Sequence, residues 1–272
     1  MRAALITLVI FLALAAAVSC DENGSGGANP DALTGEIAVF TAASLTDAFT
    51  DVGEVFRGEY PGTTLTFNFA GSQELRAQLE QGARADIFAS ANQRQMDLSI
   101  DAGLIAGESQ IFTKNRLVVI VPETNEAGIE TLQDLANPGL KIVLAGPEVP
   151  VGEYSRQYLE LASADPQFDP DYGTRVLSNL VSEEPNVKQV VAKVQLGEAD
   201  AGIVYTSDVT PAVSGSVTAI DIPDHLNQVA AYPIAVATEA SEPELARLFI
   251  DFLRSEEGQA ILVKHGFLEV GE

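Results

Sequence analysis

The sequence is poor in the residues that most often build reactive or metal-bound sites. Its 272 residues include one cysteine, two histidines and no tryptophan. With Cys20 as its single cysteine the chain can form no internal disulfide, and because Cys20 precedes the folded part, thiol catalysis and a cysteine-ligated metal are excluded there. Two histidines, His225 and His265, are too few to indicate a zinc site.

Positive charge is also scarce. The chain has 15 Lys and Arg against 39 Asp and Glu, which gives a formal net charge of −24. A chain this acidic repels nucleic acid, so nucleic-acid binding is disfavoured. It contains no phosphate-loop or dinucleotide motif, and Ser72 does not lie in a nucleophile elbow because Glu74 stands where that motif requires glycine. An enzyme is the main competing class, but neither catalysis nor a cofactor is expected.

The first twenty residues form a segment separate from the fold. An apolar run follows Arg2 and ends at Cys20, where a polar, glycine-rich stretch begins. This arrangement resembles a lipoprotein signal, so residues 1–20 are predicted to be a signal peptide with Cys20 as the lipidated residue. Residues 21–35 are predicted to be a flexible tether. The alternative is ordinary cleavage after Ala17, a position at which the lipoprotein motif most often has leucine.

Beyond the tether, short runs of β-branched residues alternate with amphipathic helical patterns. Val187, Val190, Val191 and Val194, for example, mark one face of a helix. This alternation predicts an α/β fold with largely parallel sheets and right-handed crossovers. The predicted strands are 36–41, 63–69, 87–90, 116–121, 141–145, 201–205 and 234–237.

The loops indicate two lobes. A turn-rich insertion at 165–171 interrupts the middle third of the chain. Extended segments at 116–121 and 231–237 flank this third, and they are expected to cross between the lobes. The predicted lobes are 36–116 together with 233–272 for lobe 1, and 117–232 for lobe 2.

Several helices are predicted to begin where a strand ends. Ser44 follows the first strand and is placed to form a capping box with Asp47, Ser72 follows the second strand, and similar turns occur at 146–152 and 182–187. The carboxyl ends of parallel strands lie at one edge of a sheet, so these helix N-termini are expected to converge. Their unpaired N–H groups bind anions without Lys or Arg. Any one of them alone carries little weight, since a serine there is most often only a cap.

Taken together, these segments resemble the molybdate-binding proteins of bacterial ABC importers. The resemblance extends over 36–268 with the spacing of that family. It implies a two-lobed, type II periplasmic-binding-protein fold with a ligand cleft between the lobes. The similar segments are AASLTDAF at 42–49, FNFAGS at 67–72, GARADIFAS at 82–90, PEVPVG at 147–152, GEADAGIVY at 197–205 and YPIAV at 232–236.

The resemblance also implies five ligand contacts. Ser44 and Ser72 would each donate a hydroxyl and a backbone N–H. Val151 and Val187 would donate backbone N–H groups, and Tyr205 would donate its phenolic O–H. Val151 stands where the family often has alanine, and the residues before Val187 depart from the usual acidic run.

Every implied contact is a donor, which favours a fully deprotonated oxyanion. The proton of monohydrogen phosphate would find no acceptor there, and an unmade hydrogen bond in a desolvated site costs about 1–3 kcal/mol. Molybdate or tungstate is the expected ligand. Sulfate is the main alternative, and another solute of the same superfamily remains a further one. Basic residues such as Lys114 and Lys188 are expected to lie outside the cleft and to contribute little to binding.

The family further implies the partners and the location. The protein is expected to be a monomer that delivers its ligand to an ABC permease with its ATPase. It is expected at the outer face of the cytoplasmic membrane or in the periplasm, anchored through a lipid on Cys20. No catalytic residue and no metal beyond that of the oxyanion is expected.

Overall fold

The computed structural model describes residues 33–270. The predicted signal segment, Cys20 and most of the tether lie outside the described residues, so lipidation stays a prediction. The first strand begins at Thr34, so Thr34 and Gly35, predicted as tether, belong to the fold. Among the helices within residues 33–270, none is long and apolar enough to cross a membrane.

The described part of the chain contains ten strands and eight α-helices, which alternate along most of the sequence. The strands are β1 Thr34–Ala42, β2 Gly62–Ala70, β3 Ile87–Ala89, β4 Ile105–Asn115, β5 Leu117–Pro122, β6 Ile142–Ala145, β7 Leu180–Glu184, β8 Ala201–Tyr205, β9 Val217–Asp221 and β10 Ala230–Ala237. The helices are α1 Thr46–Glu59, α2 Ser72–Glu80, α3 Gln93–Asp101, α4 Pro150–Ala164, α5 Tyr172–Ser178, α6 Val187–Gln195, α7 Pro243–Arg254 and α8 Glu256–Lys264.

The strands form two five-stranded sheets. The first has the order β2-β1-β3-β10-β4 and the second the order β7-β6-β8-β5-β9. Helices α1, α2, α3, α7 and α8 pack on or beside the first sheet, and α4, α5 and α6 on or beside the second. We call these two assemblies the first lobe and the second lobe.

Both sheets are mixed, so the expectation of largely parallel sheets is wrong. In the first sheet β1 pairs in parallel with β2 and β3, whereas β10 is antiparallel to β3 and β4. In the second, β6 is parallel to β7 and β8, whereas β5 is antiparallel to β8 and β9. The reversed strands, β5 and β10, are those that the chain enters on arriving from the other lobe. They start at the cleft and run away from it, while their neighbours run towards it.

The crossings between the lobes lie at other residues than predicted. Arg116 alone separates β4 of the first sheet from β5 of the second, and residues 222–229 separate β9 from β10. The segments 116–121 and 231–237, expected to cross between lobes, lie almost entirely within strands. Three strands were not predicted, namely β4, β7 and β9, and each is an edge strand. Edge strands expose one side to water and therefore carry polar residues that weaken the apolar pattern.

An aromatic cluster fixes α1 on the first sheet. The ring of Phe49 makes edge contacts with Phe67, Phe112 and Phe249, at centroid distances between 5.8 and 6.1 Å. These partners come from β2, β4 and α7, and Phe49 itself is fully buried. The cluster therefore holds the amino end of α1, which adjoins the cleft, in a fixed position.

The first turn of α4 packs directly against the end of β6. A Cβ atom on Gly152 would lie 2.0 Å from the carbonyl oxygen of Gly146 and 2.4 Å from that of Ala145. No side chain fits there, because the backbone oxygens cannot move without displacing the strand. Gly152 is thus what allows the amino end of α4 to reach the cleft.

We expect Gly152→Ala to lower the free energy of unfolding by about 1–3 kcal/mol, the usual cost of forcing a methyl group into a packed site. Gly58→Ala is the matched control. Gly58 lies in α1 with nothing near its Cβ position, so alanine should stabilise the helix by about 0.4–1 kcal/mol. Urea unfolding of both variants and the parent measures the two effects. Equal stability of Gly152→Ala and the parent would contradict the close approach.

Candidate functional site

All five predicted ligand residues line one cavity between the lobes, which we call the cleft cavity. The space open to the centre of a water molecule is about 20 Å³. That space suits a group of a few atoms and is too small for a sugar or an amino acid. Its lining residues are Ala42, Ala43, Ser44, Ala70, Gly71, Ser72, Ala91, Val149, Pro150, Val151, Asn186, Val187 and Tyr205.

Ser44 lies in a single 3-10 turn, Ala43–Leu45, between β1 and α1. The helix begins at Thr46 without a side-chain cap, so the predicted capping box of Ser44 and Asp47 is wrong. The hydroxyl of Ser44 instead lies 2.9 Å from the phenolic oxygen of Tyr232, on β10. Ser44 is buried. Its hydroxyl is therefore oriented by a tertiary contact and not by the helix that follows.

Ser72 is the first residue of α2, which is preceded by Gly71 as N-cap. Its side chain is buried, and its Oγ accepts a hydrogen bond from the backbone N–H of Ala91 at 3.0 Å. That bond uses one of the two lone pairs of the oxygen and leaves the hydroxyl proton available. The hydroxyl and the backbone N–H at this helix start are both placed to donate into the cleft cavity.

Two helix N-termini of the second lobe complete the ring of donors. Val151 is the second residue of α4, after Pro150. Val187 is the first residue of α6, where the side chain of Asn186 caps the helix by accepting from the N–H of Gln189. N–H groups in a first turn have no acceptor within their own helix, and the helix dipole adds a partial positive charge.

Tyr205 ends β8 and is fully buried, yet its phenolic oxygen has no hydrogen-bond partner within the part of the chain that the structure describes. Burial raises the pKa of Tyr205 well above its ordinary value, and the neighbouring Tyr232, Tyr154 and Asp208 add to the shift. The phenol thus stays protonated and can donate. An unpaired buried donor costs about 1–3 kcal/mol, which a ligand oxygen in the cleft cavity would recover.

The cleft cavity is neutral. None of the lining residues within the described range is charged, and the groups identified above are hydroxyls, a phenol and backbone N–H groups. Residues 33–270 contain no group of three or more His, Cys, Asp or Glu side chains that could hold an ion. The two histidines pair with carboxylates elsewhere, His265 with Asp51 and His225 with Asp165.

A charged cluster lies beside the cleft cavity, and Lys188 belongs to this cluster and not to the lining of the cavity. Lys188 follows Val187 on α6, and its ammonium lies 2.8 Å from Asp47 of the first lobe and 3.4 Å from Asp208 of the second. Desolvation opposes the charge of Lys188, but the two carboxylates outweigh it and raise its pKa. Lys188 is therefore a bridge between the lobes.

Other polar contacts also join the two lobes at the rim of the cleft. The side-chain amide of Gln73 donates to the carbonyl of Pro185 at 2.8 Å. The amide of Gln95 donates to the carbonyl of Glu148 at 3.0 Å. A Cβ on Gly71 would lie 2.4 Å from the carbonyl oxygen of Pro185. The lobes are thus in direct contact around the cleft cavity.

Comparison with known proteins gives consistent matches. Residues 37–268 match the family described as bacterial extracellular solute-binding protein. The molybdate-binding protein ModA of Mycobacterium tuberculosis is 40% identical over 96% of this chain and 95% of its own length. That of Escherichia coli is 32% identical over 86% of this chain and 89% of its own length. The solved periplasmic molybdate-binding protein of Azotobacter vinelandii shares the fold, with a TM-score of 0.73 at 18% identity, over 85% of this chain and 98% of that one.

The buried carboxyl of Asp208 predicts a pH dependence of stability. Its Oδ1 has no hydrogen bond, and burial raises its pKa from 3.8 to about 6, while the ammonium of Lys188 opposes the shift. The folded state then binds this proton more tightly than the unfolded chain. The resulting stability is fully present below the unfolded pKa and is lost as the pH rises through about 6.

We therefore expect the free energy of unfolding of the parent, measured relative to Asp208→Asn, to fall between about pH 4 and pH 6. Asparagine keeps an acceptor for the N–H of Tyr205, which Asp208 now binds at 3.2 Å. Asp101→Asn, at an exposed position on α3, is the control. Urea unfolding at a series of pH values measures the difference. A difference that stays flat or rises with pH in this window would contradict the assignment.

Proposed function

This chain belongs to the bacterial extracellular solute-binding proteins, and we propose from that premise that it captures molybdate, and also tungstate, for an ABC importer. Membership of that family makes the chain a binding protein and not an enzyme, and the ligand takes the place of any cofactor. The main support for a small oxyanion as the ligand is the cleft cavity, where neutral hydrogen-bond donors from both lobes converge. The orphan phenol of Tyr205 supports it most directly.

A neutral ring of donors suits a dianion in a protein of net charge −24. Hydrogen bonds to a charged group are worth about 1.5–3 kcal/mol each, and several act on one small ligand here. Binding then depends on fixed dipoles at contact distance instead of ion pairs. No aspartate or glutamate lines the cleft cavity within the described range, so a deprotonated oxyanion meets no like charge there.

We propose molybdate and not sulfate as the ligand, because the sequence motifs around the cleft cavity match those of proteins that bind molybdate. The mycobacterial and enterobacterial relatives reported above carry that name. Sulfate has the same charge and shape with shorter bonds to oxygen, so it is the second candidate. Cavity size then has to distinguish the two ligands, since the donors do not.

We also propose the location and the partner. The signal-like segment and Cys20 support a lipid-anchored protein at the outer face of the cytoplasmic membrane. A monomer with its ligand enclosed would dock on an ABC permease, whose ATPase drives uptake. The family membership supports an extracytoplasmic solute-binding role in general, and the anchor depends on the lipoprotein-like sequence around Cys20.

The lobes are proposed to close around the ligand, with the predicted bounds of 36–116 plus 233–272 and 117–232, except that β10 of the first sheet already begins at Ala230. Ser44 and Ser72 belong to the first lobe, whereas Val151, Val187 and Tyr205 belong to the second, so a ligand can reach all five only when the lobes meet. Closure follows from the contacts that the ligand gains in that state alone.

We expect Ser44→Ala and Ser72→Ala to weaken molybdate binding about 10- to 150-fold, because each removes a donor to a charged ligand. Tyr205→Phe should lie at the lower end of this range. Ser99→Ala is the matched control, since Ser99 is a buried serine on α3 that bonds to Gln95 outside the cleft cavity. Calorimetric titration with molybdate, tungstate, sulfate and phosphate measures the affinities. Unchanged binding in both serine variants, or a parent that binds none of the four, would refute the proposal.

Closure is tested by Gly71→Ala. Gly71 has φ −61° and ψ 139°, which alanine adopts freely, so the variant should fold like the parent. In the closed state its methyl group would meet the carbonyl of Pro185, and affinity for molybdate should fall about 5- to 150-fold. Small-angle scattering should show the parent becoming more compact with molybdate and the variant doing so less. A variant that binds and compacts like the parent would contradict this model of closure.

A further inference from the structure

Tyr232 contacts a ligand residue although it does not line the cleft cavity. It lies on β10, is fully buried, and packs its ring against Phe112, Tyr205 and Phe267. Its phenolic oxygen is 2.9 Å from the hydroxyl of Ser44. Two hydroxyl groups at this distance share one proton between them, and either one can donate it. The direction of this bond decides what Ser44 can offer a ligand.

The side-chain amide of Asn115 sets that direction. Its Oδ1 accepts from the backbone N–H of Arg116 at 2.9 Å, and a backbone N–H can only donate, so the orientation of the amide is fixed. The hydroxyl of Thr206 donates to the same oxygen at 2.9 Å. The NH2 group consequently faces Ser207 Oγ at 2.8 Å and the phenolic oxygen of Tyr232 at 3.4 Å.

The NH2 group of a side-chain amide can donate hydrogen bonds but cannot accept them. Among the described residues, the phenolic oxygen of Tyr232 has two hydrogen-bond partners, Asn115 and Ser44, and of these only Ser44 can accept, so the proton of Tyr232 is directed at Ser44. Burial raises the pKa of Tyr232. The phenol keeps its proton at every pH at which the protein would work.

Because Tyr232 donates to the oxygen of Ser44, the proton of Ser44 is not used in this bond and stays available to a ligand. Ser72 is in the same position, because its oxygen accepts from the N–H of Ala91 and its own proton stays available. The two serines thus reach the same state by different means, one through a backbone donor and the other through a buried tyrosine.

We propose that Tyr232 is a positioning residue that holds Ser44 as a donor to the ligand, and so strengthens the discrimination of the cleft against protonated oxyanions. The proposal rests on the proposed function, since it presumes that an oxyanion binds at Ser44. A protonated anion needs one acceptor, and a free serine would supply it by turning its hydroxyl. Holding both serines as donors removes that option and disfavours the protonated anion about 5- to 150-fold.

The test is Tyr232→Phe, which removes the phenolic oxygen and keeps the ring. Molybdate affinity should fall about 2- to 12-fold, because Ser44 loses the partner that orients it. Affinity for monohydrogen phosphate should hold or rise, because Ser44 can then turn and accept. The ratio of the phosphate to the molybdate dissociation constant should fall by at least the same factor. Phosphate is measured by displacement of molybdate at about pH 8, where the monohydrogen dianion dominates.

Tyr158→Phe is the matched control. Tyr158 is a buried tyrosine of the second lobe whose hydroxyl lies 3.0 Å from that of Tyr172, away from the cleft cavity. Its loss should lower thermal stability without changing the ratio of dissociation constants. An unchanged ratio in Tyr232→Phe, in a protein that still binds molybdate, would overturn the proposal and leave the proposed function intact. A parent that binds no oxyanion would instead remove the proposed function, and this inference with it.

A double-mutant cycle separates positioning from general packing. If Tyr232 acts through Ser44, Tyr232→Phe should have almost no effect on molybdate affinity in a Ser44→Ala background. If the double variant instead loses molybdate affinity by the product of the two single factors, the proposal is overturned. Should Tyr232→Phe fail to fold, neutron diffraction of the deuterated parent with molybdate gives the answer directly. The deuteron of Tyr232 should point to Ser44 and that of Ser44 to the ligand, and the reverse orientation would overturn the proposal.

Discussion

The constraint on which the proposed site depends is the need to meet every oxygen of a desolvated dianion with a donor. A charged ligand that leaves water loses its hydration, and each oxygen left unpaired in the protein adds to that cost. In a chain with net charge −24, the lining of the cleft cavity within residues 33–270 offers no basic residue for this purpose. The donors that we propose are backbone N–H groups at helix starts, two serine hydroxyls and one phenol, all of which are neutral and fixed in place by the fold.

The topology follows from the same requirement. Helix starts can converge only if strands from both sheets run towards the cleft, as β1 and β2 do in the first sheet and β6 and β8 in the second. The chain must also pass between the lobes twice, and each pass is followed by a strand, β5 or β10, that runs away from the cleft. The mixed sheets are thus the result of two lobes facing one another across a shared site. Gly152 and Gly71 then allow backbone to approach backbone where the helix starts meet.

The sequence predicted much of the site because the donors lie at local junctions. Ser44, Ser72, Val151 and Val187 each follow a strand closely in the chain, so pattern and family resemblance locate them together. What the sequence could not predict are contacts between distant parts of the chain. Tyr232 is 188 residues from Ser44, and no local pattern shows that the serine turns to it instead of capping α1. The contact of Lys188 with Asp47 across the lobes was not predicted for the same reason, since the two residues lie 141 positions apart in the chain. The strands β4, β7 and β9 were missed for another reason. They lie at sheet edges, where polar residues weaken the alternation of apolar residues.

The uncharged lining of the cleft cavity has a consequence for a protein that works in the fluctuating salinity outside the cytoplasm. Mobile ions screen charges on the surface, and the Debye length shrinks to about 3 Å at 1 M salt. Dipoles that touch an enclosed anion leave no room for such ions, so the dissociation rate should depend little on ionic strength. The acidic surface, by contrast, repels an approaching anion most strongly in dilute solution, and added salt relieves this repulsion. For an anion bound as proposed, we therefore expect capture to become faster as the medium becomes more saline, and retention to be nearly independent of salinity.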